Sequence, residues 1–128
     1  MPQFLSEDWV QAIEDAMNAN YTIKEFAGWA YITLEHVATG VPDRGEVRHW
    51  RRFADGRVQV QLGAADSPDA TMTTSYEDAV AINKGELDLQ AAFTGGKLKV
   101  DGDVTKLLQY QAELSEVAAA VHGVDAAY

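Results

Sequence analysis

All five arginines of this chain lie between Arg44 and Arg57, and Arg48, His49, Arg51 and Arg52 crowd around Trp50. A guanidinium beside an imidazole can hold an anion, polarise a carbonyl or pass a proton. Two readings of the cluster follow. It is a solvated strand whose arginines pair with nearby acids, or a local positive patch for an anionic headgroup, a membrane surface or an acidic partner. On a strand, alternate side chains face opposite ways. His49 and Arg51 therefore share a face with Val47 and Phe53, whereas Trp50 shares one with Arg48 and Arg52. If the first face is the inner one, a His/Arg pair sits beside the interior. Trp50 reads either as an aromatic at a mouth or interface, or as an exposed ring shielded by stacked arginines.

The remaining chemistry is thin. His36 continues the apolar face of an earlier strand, as a core histidine or as a group entering a pocket. His122 falls in the last turn of a helix, where a cation suits the dipole. There is no cysteine, so disulfides, thiolate catalysis and iron–sulfur sites are excluded. No phosphate loop, dinucleotide fingerprint, His-Glu-x-x-His or nucleophile elbow occurs. Acid pairs such as Glu14-Asp15 and Glu77-Asp78 diverge by about 100° per residue on a helix, which suits solvation and not a dyad. No catalytic residue, metal ligand or cofactor is therefore assigned. An isomerase or cyclase using His36, His49 or the arginines remains the enzymatic alternative.

Twenty acidic against ten basic side chains give a net charge of −10, which repels phosphate backbones, so no nucleic-acid partner is expected. No apolar run is long enough to cross a bilayer, and Met1–Ser6 lacks the features of a secretion signal. The expectation is one cytoplasmic domain with at most transient membrane contact. Monomer and dimer both stay open.

These residues need elements to position them. Ser6 reads as an N-cap with Glu7 and Asp8 in the first turn, and Trp9, Val10, Ile13 and Met17 recur at helical spacing to about residue 20. Residues 29–38 have strand composition, with Ala30, Ile32, Leu34 and His36 on one face. Val47–Phe53 and Arg57–Leu62 flank Asp55-Gly56, a hairpin signal. Ala70–Thr74 is a fourth strand, and Lys97–Val100 a fifth. Between them Ser75 and Asp88 cap two short helices. Asp103 caps a long terminal helix whose stripe includes Val104, Leu107, Leu108, Leu114, Val117 and Val121. The fold class is α+β, with helices against a five-stranded, mainly antiparallel sheet.

Within that order, Asp69–Gly85 continues into Ala92-Phe93 and Gly96-Lys97-Leu98-Lys99-Val100-Asp101-Gly102. This set resembles the second half of the sterol carrier protein 2 domain family, and residues 6–62 match in element order and length. The resemblance implies five strands, about five helices, and an apolar tunnel between them for fatty acids, fatty acyl-CoA, sterols or other lipids. Two features depart from it. Asp125–Tyr128 is not a Ser-Lys-Leu peroxisomal address, and the Arg/His-rich second strand replaces a more apolar segment.

The implied function is non-enzymatic binding and transfer of a hydrophobic small molecule; the alternatives are the isomerase or cyclase above and a protein-interaction module. The expected lining is Ile13, Met17, Ile32, Leu34, Trp50, Met72, Ile82, Phe93, Leu98, Leu107, Tyr110 and Leu114, with His49, Arg51 and Arg52 for a headgroup. Taken singly, each lining residue suits plain core packing better than a cavity wall. A tunnel of roughly 300 Å³ would forfeit about 7 kcal/mol relative to a filled core.

Overall fold

The computed structural model describes residues Met1–Tyr128. Helix α1 (Glu7–Asn18) starts where the sequence places it: the Ser6 hydroxyl accepts the Trp9 N–H, with Glu7 and Asp8 in the first turn. Its Trp9, Val10, Ile13 and Met17 are buried at successive turns. A second helix, α2 (Tyr21–Trp29), occupies residues given no element from sequence and removes Trp29 from the first strand. Asn20 caps it by accepting from Ile23 N–H, and Ile23, Phe26 and Ala27 form its buried face. That short i, i+3, i+4 stripe is hidden by the aromatic, strand-like composition around it.

Strands β1 (Ile32–Val41), β2 (Gly45–Ala54) and β3 (Arg57–Leu62) form the expected meander. Asp55 and Gly56 carry φ of 53° and 76°, the twin left-handed residues of a tight hairpin. Strand β4 (Ala70–Ser75) then pairs parallel to β1, and β5 (Lys99–Gly102) antiparallel to β4, giving the order β3-β2-β1-β4-β5. The parallel pair arises because residues 63–69 carry the chain across the sheet. Seven residues reach about 24 Å, ample for three strand spacings of about 4.8 Å.

That crossing is anchored on the outer face. Ala65 N–H donates to Glu35 Oε1 at 2.6 Å, and Asp69 Oδ2 accepts Thr33 N–H at 2.7 Å. Thr33 and Glu35, though polar, are consequently buried.

Four further helices follow: α3 (Tyr76–Asn83), α4 (Leu89–Thr94), α5 (Val104–Gln109) and α6 (Gln111–His122). The single terminal helix read from sequence is thus two, separated at Tyr110. No Gly or Pro marks the break. Instead the Tyr110 ring packs 5.4 Å from Phe26 and 5.7 Å from Trp29, a tertiary contact invisible to local pattern.

The sheet's inner face closes onto α1, α2 and α6. Ile32, Phe53, Val58, Ile13, Met17, Ile23 and Phe26 are all essentially inaccessible and belong to one core cluster. By contrast, α3 buries only Asn83, α4 only Ala92, and α5 no residue at all.

Gly102 closes β5 at a φ of 109°, and a Cβ there would lie 2.5 Å from the Asp69 carbonyl oxygen. Gly102→Ala should therefore lower the unfolding free energy by about 2 kcal/mol or more in urea titrations, backbone strain alone accounting for about 1–3 kcal/mol. A change within about 0.5 kcal/mol would refute that packing.

Candidate functional site

The strand register decides which arginines face inward. His36 lies opposite His49, and Leu34 opposite Arg51, in the β1–β2 ladder. Arg51 in turn pairs with Val60, and Phe53 with Val58, in the β2–β3 ladder. The face carrying His49, Arg51 and Phe53 is therefore the helix-covered one, while Arg48, Trp50 and Arg52 point the other way.

The outward arginines are engaged. Arg48 Nη1 donates to Glu35 Oε2 at 2.7 Å, and its Nε to Glu46 at 3.1 Å. These bonds, Glu46 first, raise its pKa. Arg52 Nε donates to Thr33 Oγ1 at 3.1 Å, and its guanidinium lies 5.1 Å from the Trp50 ring. Trp50 is thus stacked by arginine on the outer face, away from the interior. Arg44 reaches back to the Leu5 carbonyl at 2.7 Å. The cluster so conspicuous in sequence is divided by the pleat into separate attachments.

Between β1, β2, β4 and the helices α3 and α6 lies a cavity of about 90 Å³. Its apolar walls include Leu5, Trp9, Ala38, Ala79, Leu89 and Val121, together with Met72, Ile82 and Leu98 from the sequence-expected set. His36, His49 and Arg51 form a polar corner, and Thr74, Asn83 and His122 complete the polar lining. At this size the void costs about 2 kcal/mol, not the roughly 7 kcal/mol of the expected tunnel. It is smaller than the roughly 150 Å³ that admits benzene and far below the ~300 Å³ at which drug-sized ligand sites begin.

The other expected lining residues lie elsewhere. Ile13, Met17, Ile32 and Leu34 are packed in the closed core. Leu107 and Leu114 are partly buried against that core. Tyr110 joins Phe26 and Trp29, and Phe93 is 48 % exposed. Arg52 and Trp50 are on the wrong face to reach the cavity. Helical stripes identified the apolar residues correctly but could not separate those bordering a gap from those filling one.

The polar corner is tightly arranged. His36 and His49 stack with ring centroids 4.8 Å apart and planes 9° from parallel. His49 Nε2 accepts from Arg51 Nε at 3.2 Å, which places the neutral ring's proton on Nδ1. Trp9 meets His49 edge-on at 5.3 Å. His36 Nε2 is buried and has no hydrogen-bond partner. Burial first, then the Arg51 charge, holds both imidazoles well below their usual range. Burial likewise draws Arg51 down to about 10, leaving it protonated at neutral pH.

His122 does more than complement a dipole: its Nε2 lies 3.1 Å from the Ile82 carbonyl, tying α6 to α3 beside the cavity. Phe4, also on the wall, packs against Trp9 at 4.9 Å and Tyr128 at 5.2 Å. Nothing in the local pattern pointed to Phe4, because it lies in no periodic element.

A mixed five-stranded sheet with one face covered by helices, and a small, largely apolar pocket between them, places the chain in the α+β class. The chain belongs to the SCP-2 sterol transfer family, whose family model matches residues 7–115. Peroxisomal multifunctional enzyme A of Dictyostelium discoideum is 43% identical over 51 residues, covering 39% of this chain but only 12% of that protein. A conserved hypothetical protein of Thermus thermophilus, described as possibly a sterol carrier protein, superposes with a TM-score of 0.80. It is 18% identical over 99% of this chain and 93% of its own. Palmitated SCP2L2 of Aedes aegypti gives 0.61 at 21% identity, over 91% of this chain and 93% of its own.

Because both imidazoles are depressed, the unfolded chain binds protons below its pKa of about 6.5 while the native state does not. Stability is thus indifferent to these groups above about pH 6.5. It falls below that by up to about 1.4 kcal/mol per pH unit for each histidine. Urea unfolding between pH 7.5 and 5.5 should show this slope, and the His36→Phe/His49→Phe double variant should flatten it. An unaltered slope in the variant would exclude these two groups as its source.

Proposed function

We propose that this domain reversibly binds and transfers a hydrophobic small molecule, a fatty acid or related acyl lipid, by burying its tail between the sheet and the α3–α4 and α6 cover. It does so as a cytoplasmic carrier without catalysis. The observation that carries this reading is the largely apolar cavity on the helix-covered face, with Met72, Ile82 and Leu98 in its wall. Family membership and the palmitated relative of the same fold support it.

A 90 Å³ cavity is too small for a whole acyl chain, so uptake requires movement. The shallow seating of α3, α4 and α5, which bury only Asn83 and Ala92 between them, makes that layer the one to move, since weakly buried segments open at low free-energy cost. Each buried methylene contributes about 0.8 kcal/mol. Association and ordering costs of about 4–15 kcal/mol offset much of this, which leaves affinities suited to pick-up and release.

The enzymatic reading draws on one specific observation, the His36–His49 pair on the inner face. It requires a turnover that His49→Ala abolishes. The carrier reading requires none.

Two measurements test the carrier. Native mass spectrometry of the purified protein should show bound acyl lipid, and palmitate should slow amide exchange in α3–α5. Ala118→Phe, which fills the cavity from α6, should weaken palmitate binding at least about 10-fold, roughly 1.4 kcal/mol. Ala91→Phe on the exposed side of α4 should not. Equal affinities in both variants would eliminate the cavity as the binding site.

A further inference from the structure

The polar corner of the cavity holds a cation with no anion. The chain has twenty acidic side chains, yet its four ion pairs involve Arg48, Lys99 and Lys106, never Arg51. Of the N–H donors of Arg51 only Nε is used, on His49, which leaves the paired Nη groups without a protein acceptor. One stacked ring away, His36 Nε2 is buried and also unpartnered. Both groups border the same cavity. A half-buried guanidinium with no counter-charge is costly to a fold, and buried polar atoms such as His36 Nε2 are seldom left unbonded. In a chain with twice as many acids as bases, two such groups side by side mark a place kept open for an outside anion.

We propose that Arg51 and His36 form the receptor for one carboxylate group, the head of an otherwise apolar ligand that lies along the cavity. This rests on the carrier reading above and deepens it by fixing the ligand's charge and orientation. The two Nη groups offer the parallel donor pair that a carboxylate accepts in bidentate fashion. His36, neutral at pH 7, donates from Nε2 in the tautomer with its proton there. His49 is a positioning residue: its Nε2 accepts the Arg51 Nε–H and so fixes the plane of the guanidinium. Arg52, on the opposite face and bonded to Thr33, takes no part.

The geometry also excludes ligands. A carboxylate fits two donors on one edge plus a third from the side, whereas an ester or alcohol leaves a guanidinium desolvated and unpaired. The carrier should therefore prefer free acids to their neutral counterparts.

The test compares dodecanoate with its methyl ester by calorimetry at pH 7.5, in the wild type, Arg51→Met and Arg52→Met. The wild type should bind dodecanoate at least about 10-fold more tightly than the ester, a charge-assisted bond's worth of discrimination. Arg51→Met should abolish that preference while keeping ester affinity within a factor of about three, on the same scale. Arg52→Met should leave both affinities unchanged. Should Arg51→Met fail to fold, His36→Leu, which retains the cation, should still lower the acid-over-ester preference several-fold. Binding of both ligands with no preference for the acid, or a preference that survives loss of Arg51, overturns the carboxylate receptor alone. Failure of the wild type to bind either ligand overturns the carrier as well.

Discussion

The two-residue period of the sheet, set against a single covered face, governs this molecule. Once Ile32, Phe53 and Val58 are committed to the helices, every second residue of β1, β2 and β3 must follow them inward. A slip of one residue would expose the whole apolar set, so the register is firmly fixed. The same constraint carries His36, His49 and Arg51 into the interior although nothing in their own chemistry favours burial. The polar corner is thus a passenger of the core, held there by the hydrophobic energy of its strand neighbours.

The outer face shows how such a sheet handles charge when solvent and acids are at hand. Arg48 bridges Glu35 and Glu46, Arg52 lies over Trp50 and bonds Thr33, and the crossing segment satisfies Glu35 from above. Inside, Arg51 bonds the His49 ring and borders a largely apolar cavity, with no carboxylate paired to it. One arginine has its pKa raised by carboxylates, and the other is drawn down to about 10 by burial. That contrast separates a structural ion pair from a cation whose counter-charge the protein does not supply.

Stability is distributed unevenly across the fold. Helices α1, α2 and α6 share the main core with the sheet, while α3, α4 and α5 are lightly seated, α3 and α4 beside the cavity. The proposed carrier role would draw on both properties, since a uniformly packed interior resists any intrusion. At about 90 Å³ the cavity spares the fold most of the cost of a larger hollow interior.

Local pattern specified much of this. The caps at Ser6, Ser75, Asp88 and Asp103, the Asp55-Gly56 hairpin, the meander and the α+β class were all legible, because each rests on contacts within a few residues of chain. So was the shared face of His49 and Arg51, which follows from alternation alone. Which face turned inward was not legible, nor was the break at Tyr110, the helix α2 hidden among aromatics, or the division of one arginine cluster into unrelated bonds. Ile13 and Met72 look alike as apolar residues in a sequence, yet one fills the core and the other borders the gap. The order of residues determines what each segment prefers by itself. Only the packing of segments distant along the chain decides where the space between them remains empty, because a void is a property of several surfaces failing to meet and belongs to no single one of them.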